Sequence, residues 1–520
     1  MRLNVAIKGY KVGYSNMQNK QLAFGALLSY GAIIVNVLVT IFYTPWMVAK
    51  IGQANYGLYT LAISVIGMFM MDFGLSSAVA RFVSKYNAEQ DYERSNQFLS
   101  AAFTLYIVID VLMLLFLSGI FLCLGNIYRG LTADELALFK TLFIIVAGFN
   151  LIAFPMTPLS GILNAYEQFA VAKTCDLINK VLSVLLVVVV LCFSDSVTTM
   201  VLANTTAGII TILIRIFAVK VTTPVQSSLK KVNRAIYKDI FSFSIWTTII
   251  GIAQRITYNF APSILAITSG SIAVAIYAPA SSIGSYFYMI AAATNGLFLP
   301  RISRMIAAQK EDELLSLMVA VGRYQTVILG LVVAGFLCVG DDFLLLWMGE
   351  EFLKSYPCVV LIMLPAFFEY SQQIGNTAIV AKNYVKWQAM QLTITSALGC
   401  VMAFALSAVW GATGVCTAIC VTGLANVVGY NYIHQKRLGI QIFSFYRRCY
   451  GSMMFPIVAS VVVARWIMEK INKLGILWLV CKGFLVVFIY IAFIWFLGLN
   501  SNEKKMILKF LEKHAKRKGG

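Results

Sequence analysis

Apolar runs of about 20 residues, each closed by a short polar break, recur from one end of the chain to the other. They predict helices over 22–43, 57–79, 98–123, 138–162, 169–193, 198–219, 240–263, 271–298, 316–339, 357–381, 388–410, 412–433, 452–468 and 475–498. The thirteenth is the shortest. The expected fold class is an all-α polytopic membrane protein with about 14 transmembrane helices.

Composition rules out the alternative of a large soluble protein. Of 520 residues, 60% are hydrophobic and only 12% are charged, against about 25% charged in soluble domains. So few charges cannot cover the surface of a chain this size, and most of that surface must face lipid. The net charge of +19 would indicate nucleic acid in a soluble protein. Its placement says otherwise. Twenty-nine Lys and Arg lie in 1–21, 80–97, 163–173, 220–239, 299–315, 382–387, 434–451 and 499–520, whereas the opposite breaks carry five, with Lys140 just inside the fourth span. By the positive-inside rule the first set is cytoplasmic, and an even number of spans puts both termini there. The excess therefore orients the chain, and no nucleic-acid partner is expected. The ten cysteines lie mostly within apolar runs and form no CxxC pair, so neither a metal site nor a disulfide framework is expected. The start of the chain lacks a cleavage site after a short apolar core, so its first apolar run reads as a span.

The longest inner break divides the chain. The expected organisation is a six-helix lobe over 1–219, a cytoplasmic linker at 220–239, and a second six-helix lobe over 240–433. Two additional helices within 434–498 and a basic cytoplasmic tail, 499–520, follow. A weak repeat supports the division: Tyr59, Ala62 and Ser64 correspond to Tyr277, Ala280 and Ser282, and Arg81, Ala88 and Glu93 to Arg301, Ala308 and Glu313. Six helices per unit preserve orientation, which makes the lobes pseudo-symmetric and parallel about an axis along the membrane normal. The longest outer break, 340–356, carries Asp341, Asp342, Glu350 and Glu351 around Phe343 to Trp347 and reads as an amphipathic surface segment.

Three stretches carry a family likeness. They are the second span, from Ile51 through Asp72-Phe73-Gly74-Leu75 to Arg81, the exit Leu299-Pro300-Arg301-Ile302-Ser303-Arg304, and Leu345-Leu346-Trp347-Met348-Gly349-Glu350-Glu351. The chain resembles the polysaccharide-transporter branch of the multidrug/oligosaccharidyl-lipid/polysaccharide exporter superfamily, which holds the O-antigen-type flippases. That resemblance implies a bacterial inner-membrane flippase moving an undecaprenyl-diphosphate-linked oligosaccharide to the outer leaflet. It also implies a polysaccharide polymerase and chain-length machinery as partners, beside membrane lipids. A monomer is expected.

Ionisable groups inside spans cost about 2.5–3.5 kcal/mol each and mark functional or paired positions. Ten fall there: Asp72, Asp110, Asp176, Lys180, Arg215, Arg255, Arg323, Glu369, Arg465 and Lys482. Six cations against four anions suit an anionic cargo. A diphosphate is best held by the planar fork of Arg, and Arg255, deep in its span beside Gln254, Tyr258 and Asn259, is the first choice. An ion pair from Arg255 to Asp110 or Glu369 is the structural alternative. Arg323 and Lys180 are candidates for an earlier contact. Asp176 and Lys180 are spaced for an i, i+4 salt bridge, while Arg215 and Arg465 lie near enough to span ends to snorkel. Asp72, Arg81, Arg301 and Arg304 are gate candidates, with a structural role for Asp72 as the alternative.

No GxxxxGK[ST] sequence is present, so no nucleotide is expected to drive transport and no cofactor is expected. Proton or sodium coupling would fall to Asp110 and Glu369. A small-molecule or drug antiporter would favour acidic cavities for cationic cargo. A membrane glycan polymerase or ligase would need an outer catalytic platform, yet the outer breaks are short and both histidines, His434 and His514, fall on the inner side. No catalytic residue is therefore assigned.

Overall fold

The structure is a computed structural model. It describes residues 36–508 apart from 38, 71–72, 74, 225–247, 258, 293–297, 299–301, 303–304, 307, 309–310, 383, 472–474, 502 and 506–507. Those residues are helical almost throughout and include no strand. They fall into two compact units, Met1–Ala275 and Ile276–Gly520. Most of the expected linker, 220–239, lies outside the described residues.

After helical residues 39–51, the first unit contains α1 (Gln53–Phe69), α2 (Leu75–Ala88), α3 (Tyr92–Ile127), α4 (Ala133–Ala153), α5 (Pro158–Ala165), α6 (Phe169–Phe193) and α7 (Val197–Thr222). Helical residues 248–257 and α8 (Ala261–Thr268) complete it, and α9 (Gly270–Ala292) begins there. Local sequence explains the starts and stops. Asp91 caps α3 by accepting the Arg94 amide at 3.0 Å. Thr132 and Glu135 form a reciprocal capping box at the start of α4. Pro155 and Pro158 fall at a 3-10 turn, Phe154–Met156, that interrupts the fourth span, because a proline supplies no amide to the ladder.

The core of this unit is α2 packed on α3 and α5, with Leu75, Val79 and Val83 against Phe98, Leu99, Tyr106, Ile162 and Leu163. Gly161 lets α5 approach the Ser76 carbonyl, where a Cβ would sit 2.8 Å from the oxygen. At one end, the α3–α4 turn clamps the α8–α9 junction. Glu135 accepts the Ser271 hydroxyl while capping α4, and Tyr128 donates to Ser263 at 3.3 Å. These bonds hold α8 in the first unit.

The second unit contains α10 (Glu311–Met348), α11 (Ser355–Ser371), α12 (Gln373–Ala381), α13 (Val385–Leu438), α14 (Ile442–Cys449), α15 (Met454–Lys470) and α16 (Ile476–Phe493). α13 folds back at Gly411, whose φ of 54° and ψ of −129° leave the helical region. Its limbs correspond to the expected eleventh and twelfth spans. Eight described helices are long and apolar enough to cross a membrane, or nine with α14 and α15 taken as one bent span. The expected 14 is not reached among the described residues. Part of the reason is physical: the second and seventh spans are each broken into shorter helices, and α13 holds two spans.

Residues 340–348 differ from the expected surface segment. α10 runs on to Met348, and Leu344 and Trp347 are buried. The helix can carry two adjacent carboxylates because each meets a cation from the C-terminal helices. Arg465 of α15 forms a two-pronged pair with Asp341, at 3.3 and 3.0 Å, and Lys482 of α16 reaches Asp342 at 2.6 Å. Arg465 is thus an ion-pair partner as well as a residue near the span end. Cys338 packs with Ala464, Met468, Val486 and Ile489 just below, and Tyr490 donates to the Val327 carbonyl at 2.9 Å. The two helices outside the expected repeat are therefore fastened along α10.

Candidate functional site

The second span is interrupted where the sequence carries Asp72-Phe73-Gly74. α1 ends at Phe69 with Met70 outside helical geometry, and Phe73 adopts a φ of 50°. A bulky residue at positive φ costs on the order of 1–3 kcal/mol and persists only where surrounding structure fixes it. The fixing contacts come from the seventh span. Thr248 donates its hydroxyl to the Phe73 carbonyl at 3.3 Å, and Arg255 donates Nη1 to the carbonyl of Gly67 in the last turn of α1. Carbonyls in a helix's last turn lack intrahelical partners and gather partial negative charge, so a guanidinium there is favoured twice. Asn259 lies close to the same turn, its Nδ2 3.9 Å from where a Cβ on Gly67 would stand.

The seventh span is itself interrupted at Phe260, ahead of α8, which carries Pro262 in its first turn. Two discontinuous helices therefore meet around Arg255. In membrane carriers, irregular backbone is tolerated where it lines a cavity or is buried in protein. Gln254 is exposed beside Arg255, and Asn259 is half-buried. Tyr258 and Asp72 lie outside the described residues, as do Arg301 and Arg304. Arg81 is exposed on α2, with its guanidinium carbon 5.8 Å from the centre of the Phe82 ring.

Asp176 pairs with Arg215 at 2.7 Å and with Lys173 at 3.3 Å, in place of the expected bond to Lys180. The neighbouring helix presents Arg215 at closer range, and Ser160 fixes that guanidinium at 3.0 Å. Among the described residues Lys180 has no carboxylate partner. It sits on α6 beside a polar seam in which Asn204 joins Ser183 to Tyr59 and Thr211 donates to Asn179. Asp110 lies on α3 with its Oδ1 buried and without a hydrogen-bond partner among the described residues. It does not pair with Arg255.

Glu369 and Arg323 belong to the second unit. Glu369 is half-buried one residue before Tyr370, whose ring meets Tyr288 at 5.4 Å between centres. Its helix carries Pro365, and Gly423 allows α13 to approach that proline. Arg323 is almost fully buried and all five of its donors are engaged. Nε and Nη2 bond Glu503 at 2.6 and 2.8 Å, Nη1 bonds the Arg448 carbonyl and Ser452, and Nη2 also reaches the Gly498 carbonyl. No donor remains for an early contact with cargo. Burial pushes the Glu503 carboxyl up, but its bonds from Arg323 and the Asn500 amide outweigh that and hold it below the usual carboxylate range.

Comparison with known proteins places the chain. Residues 23–306 match the family model described as "Polysaccharide biosynthesis protein". The chain belongs to the polysaccharide biosynthesis protein family. A relative, the uncharacterized membrane protein EpsK of Bacillus subtilis, is 23% identical over 507 residues, covering 93% of this chain and 96% of EpsK. Among solved structures, a lipid II flippase MurJ in an inward closed conformation aligns with a TM-score of 0.71 at 13% identity, over 90% of this chain and 97% of that one. An inward-facing multidrug resistance transporter of the MATE family aligns with a TM-score of 0.67 at 13% identity, over 76% and 92%. The fold is that of the exporter superfamily the sequence motifs resemble, and the protein is a multi-pass membrane protein of its polysaccharide-transporter branch.

What the sequence left unseen here is backbone chemistry. Thr248 and the Gly67 and Phe73 carbonyls have no signature in side-chain patterning, and the second span was expected to run unbroken over 57–79.

Proposed function

We propose that this protein is a flippase. It carries an undecaprenyl-diphosphate-linked oligosaccharide from the cytoplasmic to the outer leaflet of a bacterial plasma membrane, by alternating access, for surface polysaccharide synthesis. The observation that carries the reading is Arg255, held by the Gly67 carbonyl where two broken helices meet. Its planar fork suits a diphosphate, whose charge it meets in a setting screened from bulk water. Lys180, with no carboxylate partner among the described residues, and the amides of Gln254 and Asn259 extend the polar surface of the same unit toward the diphosphate and sugars. Tyr258 would add to it.

Asp110 is the carboxylate of this unit through which a proton or sodium gradient would act, and its unpartnered Oδ1 supports that role. Glu369 would serve in the second unit. Arg81, with Asp72, Arg301 and Arg304, would close the cytoplasmic side. The cationic character of the Arg255 region favours this cargo over the cationic substrates of a drug antiporter.

The test is translocation of a fluorescent polyprenyl-diphosphate oligosaccharide in proteoliposomes. Arg255→Ala is expected to reduce the rate at least tenfold, roughly the worth of one charged hydrogen bond, and Arg255→Lys to recover part of it. Unchanged transport by Arg255→Ala would overturn the assignment.

A further inference from the structure

Between Glu369 and Glu469 the chain contains no acidic residue. Over the same stretch, the end of α12, the two ends of α13 and the short helix α14 bring Lys382, Lys386, Lys436, Arg437, Arg447 and Arg448 to one end of the second unit. Six cations thus gather in a stretch of chain that supplies no carboxylate of its own.

Two features go beyond what orienting the chain requires. The Arg437 guanidinium is stacked over the Trp387 ring, 4.1 Å from its centre, so the last turn of one α13 limb is joined to the first turn of the other. α14 is amphipathic in an unusual sense. Phe445 and Cys449 face inward and are fully buried, whereas Phe443 and Arg447, one turn apart on the other side, are exposed. Phe443 is 82% exposed, an aromatic with no protein surface to cover it.

The helix that presents this face is held firmly. Tyr446 accepts the side-chain amides of Gln372 and Asn431 at 2.9 Å each, and the Arg448 carbonyl is bonded by the buried Arg323. A fixed helix with an outward aromatic, a cation one turn later and an aromatic-stacked arginine nearby matches one occupant. An anionic phospholipid offers a phosphodiester to the cations and acyl chains to the ring.

We propose that α14 and the adjoining ends of α13 form a binding site for an anionic phospholipid of the cytoplasmic leaflet, with Arg437 and Arg447 as headgroup ligands and Phe443 as the acyl-chain anchor. All of these residues belong to the second unit.

The test uses the full chain reconstituted in nanodiscs of phosphatidylglycerol and phosphatidylcholine, extracted in mild detergent, with retained lipid identified by mass spectrometry. The wild type is expected to keep phosphatidylglycerol in preference to phosphatidylcholine. Arg437→Gln with Arg447→Gln is expected to weaken retention about thirtyfold, the worth of two cations at a membrane surface. Lys504→Gln with Lys505→Gln, which removes the same charge from the segment after α16, is expected to leave it intact. Phe443→Ser keeps every charge and is expected to lower retention severalfold, which covers the case of a double variant that fails to fold. Equal retention of the two lipids, undiminished retention in Phe443→Ser, equal loss in the Lys504/Lys505 control, or displacement by millimolar inorganic phosphate would each overturn the proposal. Transport is not part of the measurement, so its outcome is independent of the flippase reading.

Discussion

Glu503 is the residue whose removal gives the sharpest test of the energetics. Its carboxylate lies just beyond α16 and forms a two-pronged bond with Arg323, with side-chain exposures of 16% and 5%. Because both groups are largely buried, solvent screening is weak. Breaking such a pair from one side leaves an uncompensated guanidinium and costs about 3–5 kcal/mol. Arg323 would keep its bonds to Ser452 and to the Arg448 and Gly498 carbonyls, which places Glu503→Ala near the lower end, about 3 kcal/mol. That energy fastens Glu503 to the unit, so losing it raises the population of the locally open state about a hundredfold. Where reclosing is faster than cleavage, proteolysis follows that population. Trypsin cutting at Lys504 and Lys505 in detergent-solubilised protein should therefore speed up by about two orders of magnitude in Glu503→Ala, and by less in Glu503→Gln, which retains one acceptor. The same contact is pH-dependent. Its carboxyl is held below the unfolded value of 4.5, so the stabilisation is complete above pH 4.5 and fades as pH falls through the folded-state value. Amide exchange in 499–505 should lose protection over that acid range. A cleavage rate in Glu503→Ala within a few-fold of wild type would refute the reasoning.

Other expected outcomes follow from the same structure. Lys482→Met alone should lower thermal stability in detergent markedly, by about 3 kcal/mol, because Asp342 is left without its cation; Lys482→Met with Asp342→Leu should recover most of it, and failure of the second change to rescue would show that the pair is not coupled. Gly57→Ala places a methyl group against the Ser271 carbonyl, and since backbone on both sides must shift, folded yield by fluorescence-detected size exclusion should fall severalfold; wild-type yield would mean that the α1–α9 approach is looser than described.

The order and hydrophobicity of the helices were written in the sequence, because a segment without water must satisfy its own backbone groups and must be apolar outside. The Lys and Arg pattern predicted an orientation for the same local reason. The pattern predicted one unbroken second span over 57–79, which the structure interrupts after Phe69, and the break in the fourth span coincides with Pro155 and Pro158. What periodicity could not reach was pairing between distant charges. Asp176 had a candidate partner in Lys180 at i+4, yet Arg215 of the neighbouring helix takes it at 2.7 Å, with Lys173 at i−3 at 3.3 Å. Asp341 and Asp342 read as a polar outer segment until Arg465 and Lys482 arrive from helices more than 120 residues away. Arg323 looked like a free ligand for cargo, and the tertiary fold closes five bonds around it. Sequence alone determined that this chain crosses a membrane many times and which cations lie within it. Only the tertiary structure decided which of those charges are consumed in holding helices together, because a buried charge is committed by whatever partner packing brings within about 4 Å, and that is a property of the fold.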